Sequence, residues 1–333
     1  MCRFGPMKVL VTGATGFVGS HIVRKLIAAG HSVRILKRRN SPMKLLKGLS
    51  FETALGDVTE KGSLLQAMAG VEAVFHSAGL VSFWSGDTEP LYRINSDGTR
   101  HVVEACLEQK VKRLVHTSSV SAIGRPPPGE IGDESLKFNW WPWRIPYCNS
   151  KFLGEEEVRR GVQRGLDAVI LNPAVIFGPG DLHYHGGAMV LQMARGNIRY
   201  YFKGGCSTCD VEDVAEAHLA ALKKGRTGQR YILGGENVSW KEMFRVIAEM
   251  VGVEPPQKKI PIPFLSTYAR SLDWISRLTH RRPILTPEEV RISQVPVFFD
   301  SGKASRELGY RITPLRESLR KTWQWYRREG LIR

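Results

Sequence analysis

The sequence predicts an α/β chain built on a doubly wound parallel sheet, followed by a smaller, mostly helical C-terminal part. Two observations carry that expectation. Short apolar runs alternate with amphipathic stretches through the first half, and the alternation loosens beyond about Pro179. The runs at 8–11, 32–36, 72–75, 113–116 and 168–171 have the length of buried strands, and 18–29, 62–68 and 98–108 read as the helices between them. In the later part, Ser239-Trp240-Lys241-Glu242 and Thr286-Pro287-Glu288-Glu289 carry capping-box spacing, the second with proline at the first helical position. A first unit over 7–178, rejoined by about 207–235, and a second over 179–333 follow as expected boundaries.

The first strand runs into Thr12-Gly13-Ala14-Thr15-Gly16-Phe17-Val18-Gly19, which opens the first helix. Gly13 permits a sharp turn, Gly16 lets the main chain approach a pyrophosphate, and Gly19 lets helix and strand pack closely. The unpaired N–H groups of the helix then face an anion, so a dinucleotide site is expected here. A site for NAD usually places an acid at the end of the second strand. This chain has no carboxylate before Glu52, and its second strand runs into Lys37-Arg38-Arg39. Arg38 and Arg39 suit a 2′-phosphate, so NADP(H) is expected over NAD(H). The other reading of that cluster is a solvated basic turn.

Charge is concentrated at the two ends of the chain. Of a net +16, residues 1–51 carry ten Lys/Arg and no acids, and residues 255–333 carry sixteen against seven. Cofactor phosphates account for the first block. An anionic substrate, an acidic membrane surface or simple solubility would account for the second. No nucleic-acid motif accompanies the charge. The five cysteines are scattered, and the spacing of Cys206 and Cys209 lacks the second pair a zinc site needs. No apolar run is long enough to span a bilayer, and the segment before the first strand is too short for a secretory signal. A cytoplasmic protein without a metal is expected.

Tyr147-Cys148-Asn149-Ser150-Lys151 follows Pro146, a residue suited to begin a helix. Four residues apart on that helix, the phenol and the ammonium share a face. A lysine ammonium and an oxidised nicotinamide would together lower the phenol pKa from about 10 and make it a proton shuttle. Glu155, Glu156, Arg159 and Arg160 continue the helix with two expected ion pairs, Glu155 with Arg159 and Glu156 with Arg160.

The glycine motif, the Tyr147/Lys151 pair and His116-Thr117-Ser118-Ser119 together resemble the extended short-chain dehydrogenase/reductases of the epimerase/dehydratase superfamily, on a Rossmann fold. The resemblance runs through nearly the whole chain. It implies that Thr15, Phe17 and Val18 join the glycines at the cofactor, and that Asp57 and Val58 contact the adenine. Ser77, Ala78 and Gly79 would lie along the cofactor, and Pro173 and Val175 would flank the nicotinamide, although Asn172 stands where the family usually has arginine. Asn95 would serve as the structural or relay asparagine. Ser119 would bond the reacting oxygen, Tyr147 exchange its proton, and Lys151 hold the ribose hydroxyls; Ser118 is the competing serine.

Within the family, Val120 and Ser121 replace the Asp-Glu pair of sugar-nucleotide dehydratases, and the tyrosine common near Ile123 in epimerases is missing. The run is closer to dihydroflavonol reductases and 3β-hydroxysteroid dehydrogenases, so a ketone or aldehyde reductase is expected. A sugar-nucleotide epimerase with retained NAD and a non-catalytic NADP(H) sensor stay open. The resemblance also implies a homodimer. Trp140, Trp141 and His183 are candidate substrate residues, the tryptophans either as a pocket wall for a ring-bearing substrate or as loop anchors. Phe264, Tyr268, Leu272, Ile275 and Leu278 form one apolar helical face beside Arg270, Arg277, Arg281 and Arg282. Such a face commonly packs into its own domain, which is the expectation here, although peripheral contact with an anionic membrane fits it too.

Overall fold

The computed structural model describes residues 5–182 and 186–332. Six strands follow in chain order, β1 (Lys8–Thr12), β2 (Ser32–Lys37), β3 (Glu52–Leu55), β4 (Ala73–His76), β5 (Arg113–Thr117) and β6 (Ala168–Pro173). The chain then leaves the sheet through β7 (Val175–Phe177), β8 (Tyr200–Tyr201) and β9 (Gly205–Asp210), and returns with β10 (Arg230–Leu233). The central sheet is wholly parallel, in the order β10-β6-β5-β4-β1-β2-β3. Its winding reverses between β1 and β4, which is where open α/β sheets form a crevice for a ligand.

Helices α1 (Phe17–Ala28), α2 (Lys61–Met68), α3 (Thr88–Tyr92), α4 (Gly98–Glu108), α5 (Pro146–Gln163), α6 (Ala188–Ala194) and α7 (Val211–Lys224) complete the larger part. Alternation along β1 divides the core. Val9 and Val11 face Ile22 and Leu26 of α1 and Val214 and Ala221 of α7, while Leu10 faces Leu64 of α2, Val102 of α4 and Val158 of α5. Fully burying each such aliphatic side chain contributes about 2 kcal/mol, which holds the helices on both faces. Arg113 is wholly buried on β5, where it pairs with Asp167 at 2.7 Å and donates to the carbonyls of Ala221 and Leu222 at the end of α7. Its charge complements that helix terminus.

The remaining elements are β11 (Asn237–Ser239), α8 (Trp240–Val251), β12 (Lys258–Lys259), α9 (Ile262–Thr279), α10 (Pro287–Ser293), β13 (Pro296–Val297), α11 (Gly302–Leu308) and α12 (Leu315–Arg328). A second sheet runs β11-β9-β13, with β7 also paired to β9. Both expected caps form: Ser239 accepts from the Glu242 amide, and Thr286 and Glu289 make a complete capping box.

Three features differ from the sequence reading. The edge strand β3 lacks an apolar run because most of its residues are exposed. Strands β1, β4, β5 and β6 extend one or two residues further, through Thr12, His76, Thr117 and Pro173. The second expected ion pair is rearranged: Arg159 bonds both Glu155 and Glu156, and Arg160 instead takes Glu157 at 2.6 Å.

Candidate active site

The added strand ends gather on one edge of the sheet, since Thr12 is in register with His76, and His76 with His116. Above them lies the glycine loop. Gly13 has φ +68°, and a Cβ there would stand 2.5 Å from the main-chain nitrogen of Ala78. A Cβ on Gly19 would stand 2.1 Å from the Gly13 carbonyl, so no larger residue fits without moving the loop. Gly16 donates to Gly13 at 3.0 Å and begins α1 in extended conformation, with no side chain capping the helix. That leaves uncapped N–H groups over a cradle of bare main chain, which fits a dinucleotide pyrophosphate. Thr15 and Val18 are half-buried beside it, and Phe17 is buried.

The residues expected at the adenosine end lie beside β2 and β3. Gly56 donates to the Lys37 carbonyl at 3.1 Å, which brings the turn holding Asp57 against the basic cluster. The Asp57 carboxylate accepts from the amide and hydroxyl of Thr59, each at 2.9 Å, while Val58 is buried. Lys37 donates to the carbonyls of Arg38 and Arg39 at 3.3 Å, and both arginines are exposed with no ion pair among the described residues.

At the other end, Tyr147 and Lys151 occupy the first turns of α5, and Ser119 follows β5. Ser119 lies close enough to the buried Tyr147 phenol to lower its pKa, and its hydroxyl oxygen accepts from the Ser121 amide at 3.1 Å. Burial pushes the phenol up to about 12, against the opposing effect of Ser119. Lys151 donates to the Thr117 carbonyl at 3.0 Å, and burial lowers its pKa to about 8. The protein's own groups therefore leave Tyr147 protonated at neutral pH. A Cβ on Gly79 would lie 3.3 Å from Asn95 Oδ1 and 3.7 Å from Lys151 Nζ, so the segment of Ser77, Ala78 and Gly79 borders the same pair. Asn95 sits in a π-helical turn and clamps the next residue, accepting from Leu80 N–H at 2.8 Å and donating to its carbonyl at 2.9 Å. Pro173 and Val175 stand at the end of β6 and the start of β7.

Ser118 is engaged elsewhere. Its hydroxyl donates at 2.7 Å to Glu155, a fully buried carboxylate that also takes Asn172 and Arg159. Asn172, unusual for the family, donates to the Ser119 carbonyl at 2.9 Å and so ties the serine loop to β6.

Sequence reasoning missed a polar chain under the site. Ala78 N–H donates to Thr12 Oγ1 at 3.3 Å, and that hydroxyl meets His76 Nδ1 at 2.7 Å. His76 Nε2 meets Thr99 Oγ1 at 3.1 Å, whose own proton goes to the Asn95 carbonyl. Because the Thr99 proton is spent, His76 carries its hydrogen on Nε2 and accepts at Nδ1. The glycine loop and Asn95 are thereby joined through one neutral imidazole. Each of these residues was visible in the sequence, but nothing local marks them as neighbours.

Trp140 is seated in the core, not on an open wall. It is 1% exposed, and its indole N–H donates to the Ile123 carbonyl at 2.9 Å. Trp141 is 46% exposed and packs edge-on against Phe138. His183 lies outside the described residues. Tyr147 and Trp140 share one buried cluster, against which Phe83, whose ring is 5.3 Å from that of Tyr147, packs with Phe138, Trp143, Ile292 and Val295. The mostly apolar stretch 80–84, directly after Gly79, was the available signal for Phe83.

This order of parts has counterparts elsewhere. A Synechocystis protein named "Putative dihydroflavonol 4-reductase" is 34% identical over 97% of this chain and 95% of its own length. Sterol demethylase protein B of Methylococcus capsulatus is 33% identical over 98% of this chain and its full length. The crystal structure of gox2253 superposes with a TM-score of 0.86 at 36% identity, covering 98% of this chain and 99% of that one. Residues 9–234 match the model of the NAD dependent epimerase/dehydratase family. With the glycine cradle, the reversed winding of the sheet and the tyrosine helix all inside that span, the chain belongs to this family, as an extended short-chain dehydrogenase/reductase.

Proposed function

We propose that this chain is an NADP(H)-dependent oxidoreductase interconverting a ketone or aldehyde and an alcohol on a bulky, ring-bearing or lipophilic substrate. The observation that carries the reading is the buried Tyr147 phenol beside Ser119, with Lys151, also buried, one turn further along the same helix. In this reading NADP(H), when bound, supplies or accepts the hydride. Gly13, Gly16 and Gly19 hold its pyrophosphate, Arg38 and Arg39 its adenosine phosphate, and Lys151 its ribose. Asp57 and Val58 border the adenine, and Ser77, Ala78, Gly79, Pro173 and Val175 border the nicotinamide end. Residues 7–178, with 207–235, form the cofactor part, and most of 179–333 closes over the substrate.

The chain's own groups then act on the reacting oxygen. Ser119 donates a hydrogen bond to it and Tyr147 delivers the proton during reduction, because a phenol held near pKa 12 remains protonated. Asn95 positions the loop at Leu80, and through Thr99 and His76 the glycine turn. Trp140 anchors the loop before α5, leaving Phe83 and Trp143 as the apolar wall. The reductase name of the Synechocystis relative and the sterol in the name of the Methylococcus relative support this choice of chemistry and substrate class.

Screening ketones and aldehydes for oxidation of NADPH beside NADH tests the reading. Tyr147→Phe is expected to lower turnover by at least about 100-fold while NADPH still binds. Full turnover in that variant would overturn the assignment. Purified protein that retains NAD and never consumes NADPH would instead identify an epimerase.

A further inference from the structure

Helix α9 packs with its small and polar side inward. Leu265, Ala269, Asp273 and Ser276 form its buried stripe. Phe264, Tyr268, Ile275 and Leu278 of the expected apolar face, and Trp274 beside it, stand between 48% and 78% exposed, opposite to the burial expected of them, while Leu272 is half-buried. Spacings of three, four and seven put Phe264, Tyr268, Ile275 and Leu278 on one side, with Trp274 at its flank. Ile284, five residues past the end of the helix, is also exposed, at 84%. A contiguous surface of large apolar side chains marks an interaction site.

The charges around the patch select its occupant. Arg270 and Arg277 border it along the helix, and His280, Arg281 and Arg282 stand exposed at its C-terminal end. The one carboxylate of the helix, Asp273, is buried and already bonded by Ser85 and Arg277. Arg270, Arg281 and Arg282 have no ion pair among the described residues. An apolar stripe with tyrosine and tryptophan, edged by guanidinium groups and without an exposed acid, is complementary to lipid chains beneath anionic headgroups. A second copy docked across a two-fold axis would bring the same cations face to face.

The patch is also placed close to the site. Beneath it, Leu265 and Ala269 pack on Val290 of α10, and Ile292 of α10 joins the cluster around Tyr147. The bond from Ser85 to Asp273 ties α9 to the loop that carries Phe83. We propose that α9 docks this protein on the surface of an anionic membrane, setting the Tyr147 crevice beside molecules dissolved in the bilayer. The second half of that statement rests on the lipophilic-substrate reading, whereas the docking does not. No helix among the described residues is long and apolar enough to cross a membrane, so the contact is peripheral.

Flotation of the full chain with phosphatidylglycerol/phosphatidylcholine vesicles, beside pure phosphatidylcholine, tests it. Wild type is expected on the anionic vesicles only, with binding reduced at high salt. The double variant Ile275→Glu/Leu278→Glu should lose at least about tenfold in partitioning. Arg281→Gln and Arg282→Gln should each lose about fivefold. Every variant should keep the wild-type melting temperature and its turnover of a small water-soluble ketone, which separates lost docking from lost folding. Wild type that stays off anionic vesicles, or glutamate variants that bind as wild type does, would overturn the proposal. So would a wild-type dimer that the glutamate variants split, since the face would then be a subunit contact. Vesicle binding by a protein without reductase activity would leave the docking standing and remove the oxidoreductase reading.

Discussion

Lys151 shows how one residue can be costly to the fold and needed by the site. Burial brings its pKa from 10.5 to about 8, so below pH 8 the folded protein carries an ammonium that it holds less well than water does. A lowered lysine pKa costs stability where the group is protonated in both states, and the cost fades as pH rises from 8 toward 10.5. The shift corresponds to about 3 kcal/mol, offset by about 1 kcal/mol for the bond to Thr117. Lys151→Met is therefore expected to raise stability at pH 7 by about 2 kcal/mol and to abolish NADPH turnover. Thermal melts should show the gain shrinking above pH 8; a variant less stable than wild type at pH 7 would contradict this. Arg38 offers a second residue-scale test. Replacing its exposed guanidinium by glutamate should raise the KM for NADPH at least about tenfold and leave that for NADH little changed, and equal effects on both would remove the 2′-phosphate assignment.

At the scale of elements, what matters is how closely main chains approach. Helix α5 lies against the π turn so tightly that a Cβ on Gly154 would stand 2.5 Å from the Asn95 carbonyl, and α1 meets its own turn at Gly19 still more closely. Gly19→Ala must push α1 away from β1, which is expected to cost about 2–3 kcal/mol and to weaken NADPH binding together with stability. Gly62 in α2 is the control, since a Cβ there meets open space. Gly62→Ala should stabilise by about 0.5–1 kcal/mol with the cofactor affinity unchanged. Urea titrations of the two variants decide whether close packing or helix propensity governs these positions.

For the molecule as a whole, three buried histidines set its acid limit, and two of them, His76 and His218, bind the sheet to its helices. His76 is held down to about 3, His218 to about 4, and His116 well below its usual range, each mainly by burial. His116 has no hydrogen-bond partner on either ring nitrogen among the described residues and packs 5.2 Å from the His76 ring. His218 donates to the Val214 carbonyl at 2.7 Å and meets Thr117 at 2.8 Å, linking α7 to β5. Because these folded pKa values lie below the unfolded value near 6.5, the stabilisation is complete above pH 6.5 and is lost as pH falls toward 4. Unfolding free energy should then drop by at least about 2.7 kcal/mol per pH unit near pH 5, the slope for two protons. Stability that stays flat from pH 6.5 to 5 would show that these imidazoles are not buried as described.

The fold class and the two halves of the candidate site were legible because they rest on local chemistry. Three glycines between an apolar run and an amphipathic one, and a tyrosine four residues before a lysine, constrain turn, helix and face within a few residues of themselves. Which serine is left near the phenol was a question of distance in space: only the fold commits the Ser118 hydroxyl to Glu155 and leaves Ser119 on the side of Tyr147. The chain from Ala78 through His76 to Asn95 joins residues whose contact depends on the register of β1 with β4. Trp140 and the face of α9 make the same point in opposite directions, one aromatic being buried and a row of others exposed. Periodicity tells which residues share a face, but which side of a helix meets the core depends on what the rest of the chain brings against it.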